Sequence, residues 1–190
     1  RAIETEAALV VKAAEGAPSR LFASLDQHLL RKCPCPVWLR RGEGAQGPRR
    51  VLAALDVAPD AEEPGLERCI LAAAAELTED GGELLLVHAW EAAGAGLVRL
   101  WSEVGEGDRA ATQYVEDVRA ARAEALERAA GIARSVAGAR LRVRTDLRRG
   151  EPREVIREVA RAFRAELVAL RTVRRAGAPG LILGNTAEAV

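Results

Sequence analysis

Residues 51–57 read VLAALDV, a short aliphatic run that ends on an aspartate and a valine. Three further runs of this kind follow, at residues 83–90 (ELLLVHAW), 140–146 (RLRVRTD) and 167–173 (LVALRTV). Longer stretches with apolar residues at helical spacing separate them. Strands alternating with helices in this way specify βαβ units and a parallel sheet.

The first crossover, residues 62–77, carries Leu66, Cys69, Ile70, Ala73 and Leu77 on its expected inward face. Asp60 and Glu63 are spaced as a capping box, and Pro64 suits a first turn. In the second crossover Asp108 caps a helix with the stripe Tyr114, Val118, Ala121, Ala125, Ala129, Ile132 and Val136, and Gly138 ends it. The third opens at Pro152 and turns Val155, Ile156, Val159, Ala160 and Phe163 inward. Residues 91–107 hold Gly94, Gly96, Gly105 and Gly107 without a sustained period, so most of that segment is expected to be a mobile loop over one sheet edge.

Toward the N-terminus, residues 7–12 read as a strand, 19–32 as a helix with Leu21, Phe22, Leu25 and Leu29 inward, and 36–40 as another strand. Residues 41–50 contain Gly42, Gly44, Gly47 and Pro48 and read as an exposed linker. The expected organisation is the end of one domain over 1–41, a linker over 42–50 and a second domain over 51–190.

Basic and acidic residues balance at 28 each, so no net field favours nucleic acid or an anionic membrane. Apolar runs fall well short of the roughly 20 residues a membrane-spanning helix needs, and no secretory signal pattern precedes the first helix. Cys33, Cys35 and Cys69 suit neither a disulfide framework nor a four-ligand zinc site. Cys33 and Cys35 also lack the two-residue spacing of redox pairs. The cytoplasm is the expected compartment, with no metal required.

Three stretches carry a resemblance: residues 28–39 (HLLRKCPCPVWL), 51–57 (VLAALDV) and 167–190 (LVALRTVRRAGAPGLILGNTAEAV). In order and spacing they resemble the universal stress protein family, particularly its tandem-domain members. The resemblance implies a flavodoxin-like, doubly wound α/β fold with helices on both faces of a parallel sheet. The first stretch would close one domain and the second would open the next. Arg1 is then expected inside a first domain, and Val190 inside the last helix of a second domain, before a closing strand.

In this fold type ligands bind beyond the carboxyl ends of the strands, where the strand order reverses. Asp56 stands at such an end. In nucleotide-binding members of the family an acidic residue here helps to hold adenosine, whereas a strand-end aspartate elsewhere simply caps the following loop. The family's phosphate loop is a glycine, two residues, a second glycine, nine residues, then a glycine and a small polar residue. Aligned on Gly184, this sequence has Arg171 and Arg174 at the first two glycine positions, and Asn185 and Thr186 after the third.

Glycine lets backbone N–H groups approach phosphate and takes positive φ freely. A residue with a Cβ pays roughly 1–2 kcal/mol in that conformation, and about 1.4 kcal/mol is tenfold in affinity. ATP or AMP is the ligand the resemblance suggests, and tight ATP binding is what Arg171 and Arg174 argue against. Gly184, Asn185 and Thr186 read either as a helix N-terminus offering N–H groups to an anion or as ordinary loop and cap residues. Residues 12–24, the matching segment of the first domain, lack the glycines altogether.

His88, at a strand end beside the crevice, reads either as a ligand contact or as a packed core histidine. Arg148, Arg149, Arg171, Arg174 and Arg175 form either a site for a phosphate, an acidic lipid head group or an acidic partner, or a solvated charged surface. Together these features favour a stress-response module that binds a ligand or partner through a degenerate nucleotide loop and requires no cofactor. A small phosphorylated or anionic ligand, and a protein partner or second domain, are the expected partners. One alternative is an adenine-nucleotide-binding stress protein, against which the two arginines count. The other is an enzyme acting on a phosphorylated substrate, which lacks a nucleophile or base arranged around His28 or His88.

Overall fold

A computed structural model describes residues 9–14, 25–33, 35–40, 47–57, 64–101 and 107–171. Gly47–Leu170 forms one compact unit, and the described residues before it, with Arg171, belong to another.

In the smaller unit, β1 (Val10–Ala13) and β2 (Val37–Arg40) pair in parallel, with Val10 opposite Val37, and α1 (Leu25–Lys32) precedes β2. Lys12 Nζ donates to Asp26 Oδ1 at 2.7 Å, which joins β1 to α1 and neutralises a buried carboxylate. Leu25, expected inward, is 53% exposed, because Asp26 takes the buried position at this end of the helix.

The larger unit runs β3 (Arg50–Ala54), α2 (Pro64–Leu77), β4 (Glu83–Trp90), α3 (Ala95–Trp101), α4 (Gly107–Ala137), β5 (Arg142–Arg149), α5 (Pro152–Phe163) and β6 (Leu167–Leu170). Its four strands make one sheet in the order β5-β4-β3-β6, and every pairing is parallel. The period-2 alternation of side chains divides the apolar residues between two cores. Val51, Ala53, Leu84 and Leu86 pack with Leu71, Ala74 and Ala75 of α2 and with Leu126, Ala129, Ala130 and Ala133 of α4. Leu52, Leu85 and Val87 pack on the other face with Val155, Ile156 and Val159 of α5. This is the doubly wound parallel sheet expected from the sequence, covered on both faces.

Glu166 fixes the register where β3 and β6 begin. Its carboxylate accepts the Arg49 N–H at 2.6 Å and the Arg50 N–H at 3.3 Å, and Arg50 Nη2 donates to it at 2.7 Å. These donors, the Arg49 N–H foremost, hold the carboxyl below the usual glutamate range. Pro48 is buried and Arg50 is already in β3, so residues 47–50, read from sequence as the end of an exposed linker, are packed into the larger unit.

Three helical details differ from the sequence reading. The buried face of α2 is Leu71, Ala74 and Ala75, and Cys69 is exposed. Alanine on nearly every side of this helix leaves its period without a unique phase, so packing against α4 sets the rotation. The centre of α4 likewise runs through Leu126, Ala130, Ala133 and Ala137, with Ile132 and Val136 on its flank.

The third difference lies in residues 91–107, expected to be mostly mobile loop, which contain the helix α3. Arg99 pairs with Asp108 at 2.7 Å, and α3 packs on α4. A Cβ at Gly94 would come within 2.7 Å of the Tyr114 hydroxyl, and one at Gly107 within 2.6 Å of the Arg99 carbonyl oxygen. These glycines mark close packing, which composition alone does not distinguish from flexibility. The expectations for residues 172–190, including a final helix and the lack of a closing strand, lie outside the described residues.

Gly107→Ala should therefore lower the unfolding free energy, because α3 must move away. Gly131→Ala, within α4 with nothing near its Cβ position, should raise it by up to about 1 kcal/mol by removing backbone freedom from the unfolded chain. Urea unfolding of the two variants checks both signs.

Candidate functional site

Crossover through α2 places β4 on one side of β3, while β6 lies on the other. The strand order reverses at β3, and in open α/β sheets ligands are received at the carboxyl end of such a strand. The backbone leaving β3 there is held at three points. Leu55 N–H donates to the Val87 carbonyl at 2.9 Å, His88 Nδ1 lies 2.9 Å from the Leu55 oxygen, and Arg122 Nη1 donates to the Val57 oxygen at 2.7 Å. The side chains of Leu55 and Val57 are buried, and Asp56 between them is exposed. Among the described residues nothing hydrogen-bonds or ion-pairs with its carboxylate, which leaves it free to accept hydroxyl or N–H donors from a ligand.

His88 follows Leu84 and Leu86 on the side of β4 that faces α4, and it is 4% exposed. Because its partner is a carbonyl oxygen, Nδ1 must carry the proton, and Nε2 is then a lone-pair acceptor. Nε2 is buried and has no hydrogen-bond partner among the described residues. Burial pushes the ring below its ordinary value, against the opposing pull of the Leu55 carbonyl and Asp56, and Arg122 adds to the depression. The histidine is thus a packed residue that fixes the neighbour of Asp56, and it does not reach solvent itself.

Arg122 was missed from sequence. It lies four residues after Val118, next to Ala121 on the edge of the apolar stripe of α4, and that placement was the available signal.

Among the described candidates of this unit, Arg148 and Arg149 do not join this cluster. Arg148 is bound to Asp146 at 2.9 Å and lies 3.7 Å from Glu158, and Arg149 stacks over the Trp90 ring at 5.9 Å. Both therefore have partners within their own unit, as a solvated charged surface does. Arg171 directly follows β6 and is half-buried. Arg174, Arg175, Gly184, Asn185 and Thr186 lie outside the described residues. His28 is exposed on α1. Among the described residues no three or more His, Cys, Asp or Glu side chains are placed to share a metal, and no helix is long and apolar enough to cross a membrane.

The depressed value of His88 sets a pH dependence. As pH falls below about 6.5, the ordinary histidine value, the unfolded chain takes up this proton first, so stability falls until the folded value is reached. His88→Gln, which keeps a donor but does not titrate, should show a smaller loss of unfolding free energy between pH 7.5 and 5.5 than the unmodified chain. Parallel denaturant titrations at the two pH values measure that difference.

Residues 48–190 match the model of the universal stress protein family. Over 178 residues, 90% of this chain, the sequence is 33% identical to the universal stress protein E homolog of Haemophilus influenzae and 32% identical to universal stress protein E of Escherichia coli K12. It spans about half the length of these relatives, 53% and 52%. Among solved structures, hypothetical protein PH0823 aligns with a TM-score of 0.51 at 21% identity, covering 74% of this chain and 85% of that one. Hypothetical protein MJ0577, reported as a structure-based assignment of biochemical function, aligns with a TM-score of 0.51 at 15% identity, covering 74% and 86%. At those identities the structural likeness speaks for the fold, and the fold agrees with the sequence match: the chain belongs to the universal stress protein family.

Proposed function

We propose that this chain acts by binding and not by catalysis, and that its ligand is held at the Asp56 end of β3. The proposed ligand is an adenine nucleoside or nucleotide, gripped through the nucleoside and only weakly through its phosphates. The observation that carries this reading is the exposed Asp56 carboxylate, without a hydrogen-bond or ion-pair partner among the described residues, on a backbone fixed by Val87, His88 and Arg122. A fixed acceptor loses little freedom when a ligand arrives, so more of its hydrogen-bond energy goes to affinity. A carboxylate suits the paired hydroxyls of a ribose, since each of its oxygens accepts one.

The phosphate side of the proposal rests on sequence. Arg171 and Arg174 occupy positions where the family pattern has glycine, and their side chains and restricted backbone work against a tight phosphate cradle. A protein partner or a second domain of the same kind, acting in the cytoplasm, belongs to the same proposal, because the chain spans only about half of its curated relatives.

Isothermal titration of the full-length protein separates the two halves of this reading. Adenosine should bind at least as tightly as ATP, and Asp56→Asn should weaken adenosine by about tenfold, the loss of one charge-assisted hydrogen bond. Changing Arg171→Gly together with Arg174→Gly should strengthen ATP and leave adenosine unchanged. Micromolar ATP binding by the unmodified protein, with no gain in the double glycine variant, would contradict the degenerate loop.

A further inference from the structure

Cys33 and Cys35 lie in the smaller unit, between the end of α1 and the start of β2. Both are half-buried free thiols, and their sulfurs are 3.5 Å apart. A disulfide needs about 2.05 Å, so roughly 1.5 Å of approach separates the pair from a bond. The spacing of one residue argued against redox chemistry on sequence alone, yet the two sulfurs lie in contact.

The local backbone tolerates that approach. Pro34 and Pro36 have no N–H to lose. The Cys33 N–H is satisfied by the Leu29 carbonyl at 2.9 Å within the helix end, and the Pro36 carbonyl accepts the Val10 N–H at 3.0 Å. Closing the sulfurs therefore strains a short segment whose hydrogen bonds point elsewhere. A ring spanning so few residues removes little entropy from the unfolded chain and carries strain, and disulfides of that kind are the labile, readily reduced ones.

We propose that Cys33 and Cys35 form a reversible dithiol–disulfide couple, reduced in a reducing medium and oxidised by low-molecular-weight disulfides. In the first step the Cys33 thiolate attacks one sulfur of the small disulfide, giving a mixed disulfide and releasing one small thiolate. In the second, the Cys35 thiolate attacks Cys33 Sγ, forming the internal bond and releasing the second small thiolate. The two protein thiols are oxidised, the small disulfide is reduced to two thiols, and their protons pass to solvent and then to the leaving thiolates. The 3.5 Å separation of the two sulfurs favours the second, intramolecular step, although burial, and then the neighbouring Cys33, lift the Cys35 thiol above its ordinary value and so lower its thiolate fraction.

Cys69 is exposed on α2 and serves as an internal control for a thiol acting alone. The full chain is equilibrated with mixtures of reduced and oxidised glutathione, trapped by alkylation and mapped by mass spectrometry. The expected result is a peptide carrying residues 33 and 35 that is 2 Da lighter and unalkylated, half-formed at an oxidised-to-reduced ratio about tenfold lower than the one that half-converts Cys69 to its glutathione adduct, since the second thiol acts at high effective concentration. Cys35→Ser should then make Cys33 take a single glutathione adduct at the ratio that modifies Cys69. Separate adducts on Cys33 and Cys35 at that same ratio, or two thiols still alkylated when Cys69 is fully modified, would overturn the proposal.

Discussion

Val51, Leu52 and Ala53 have no exposed surface at all, and most of the Gly47–Leu170 unit follows from hiding them. Their side chains alternate between two faces, so each face needs a cover, supplied by α2 and α4 on one side and α5 on the other. Their N–H and carbonyl groups need partners along both edges, supplied by β4 and β6. Such a strand keeps only its two ends for chemistry. Glu166 occupies the amino end by taking the Arg49 and Arg50 N–H groups. The carboxyl end remains, and Asp56 stands there.

The polar residues around Asp56 are a consequence of the same burial. Leu55 and Val57 send their side chains into the core, so their carbonyls stay close to apolar surroundings and require donors. His88 and Arg122 provide them from β4 and α4. The histidine's Nε2 is buried and has no hydrogen-bond partner among the described residues. What the arrangement gains is a carboxylate whose backbone on either side is fixed before any ligand arrives. That is the feature on which the proposed binding function rests.

Much of this was legible in the sequence, and the failures have physical causes. The strands were readable because short aliphatic runs separated by amphipathic stretches admit few other folds, and the inward face of α5 because Val155, Ile156 and Val159 stand out among charged neighbours. The position of Asp56 just beyond the carboxyl end of β3 was readable because the aliphatic run of that strand ends there. The rotation of α2 was not, since alanine on most sides removes the contrast that periodicity needs. The helix α3 was hidden by a glycine-rich composition, in which Gly94 and Gly107 serve close packing. His88 read either as a ligand contact or as a packed histidine, and its even-numbered register with Leu84 and Leu86 points it into the α4-side core, where it is buried. The arginine cluster could not be judged without the acids beside it, because Arg148 is held by Asp146 and Glu158.

The central claim is that the carboxyl end of β3, and not the arginine-bearing β5 edge, is where this chain meets its ligand. Amide hydrogen exchange on the full-length protein, with and without saturating adenosine, tests it directly. The account predicts slowed exchange confined to peptides covering Leu55, Asp56 and Val57 and to the adjoining end of β4 at His88. Protection centred on Arg142–Arg149, with none at Asp56, would contradict it.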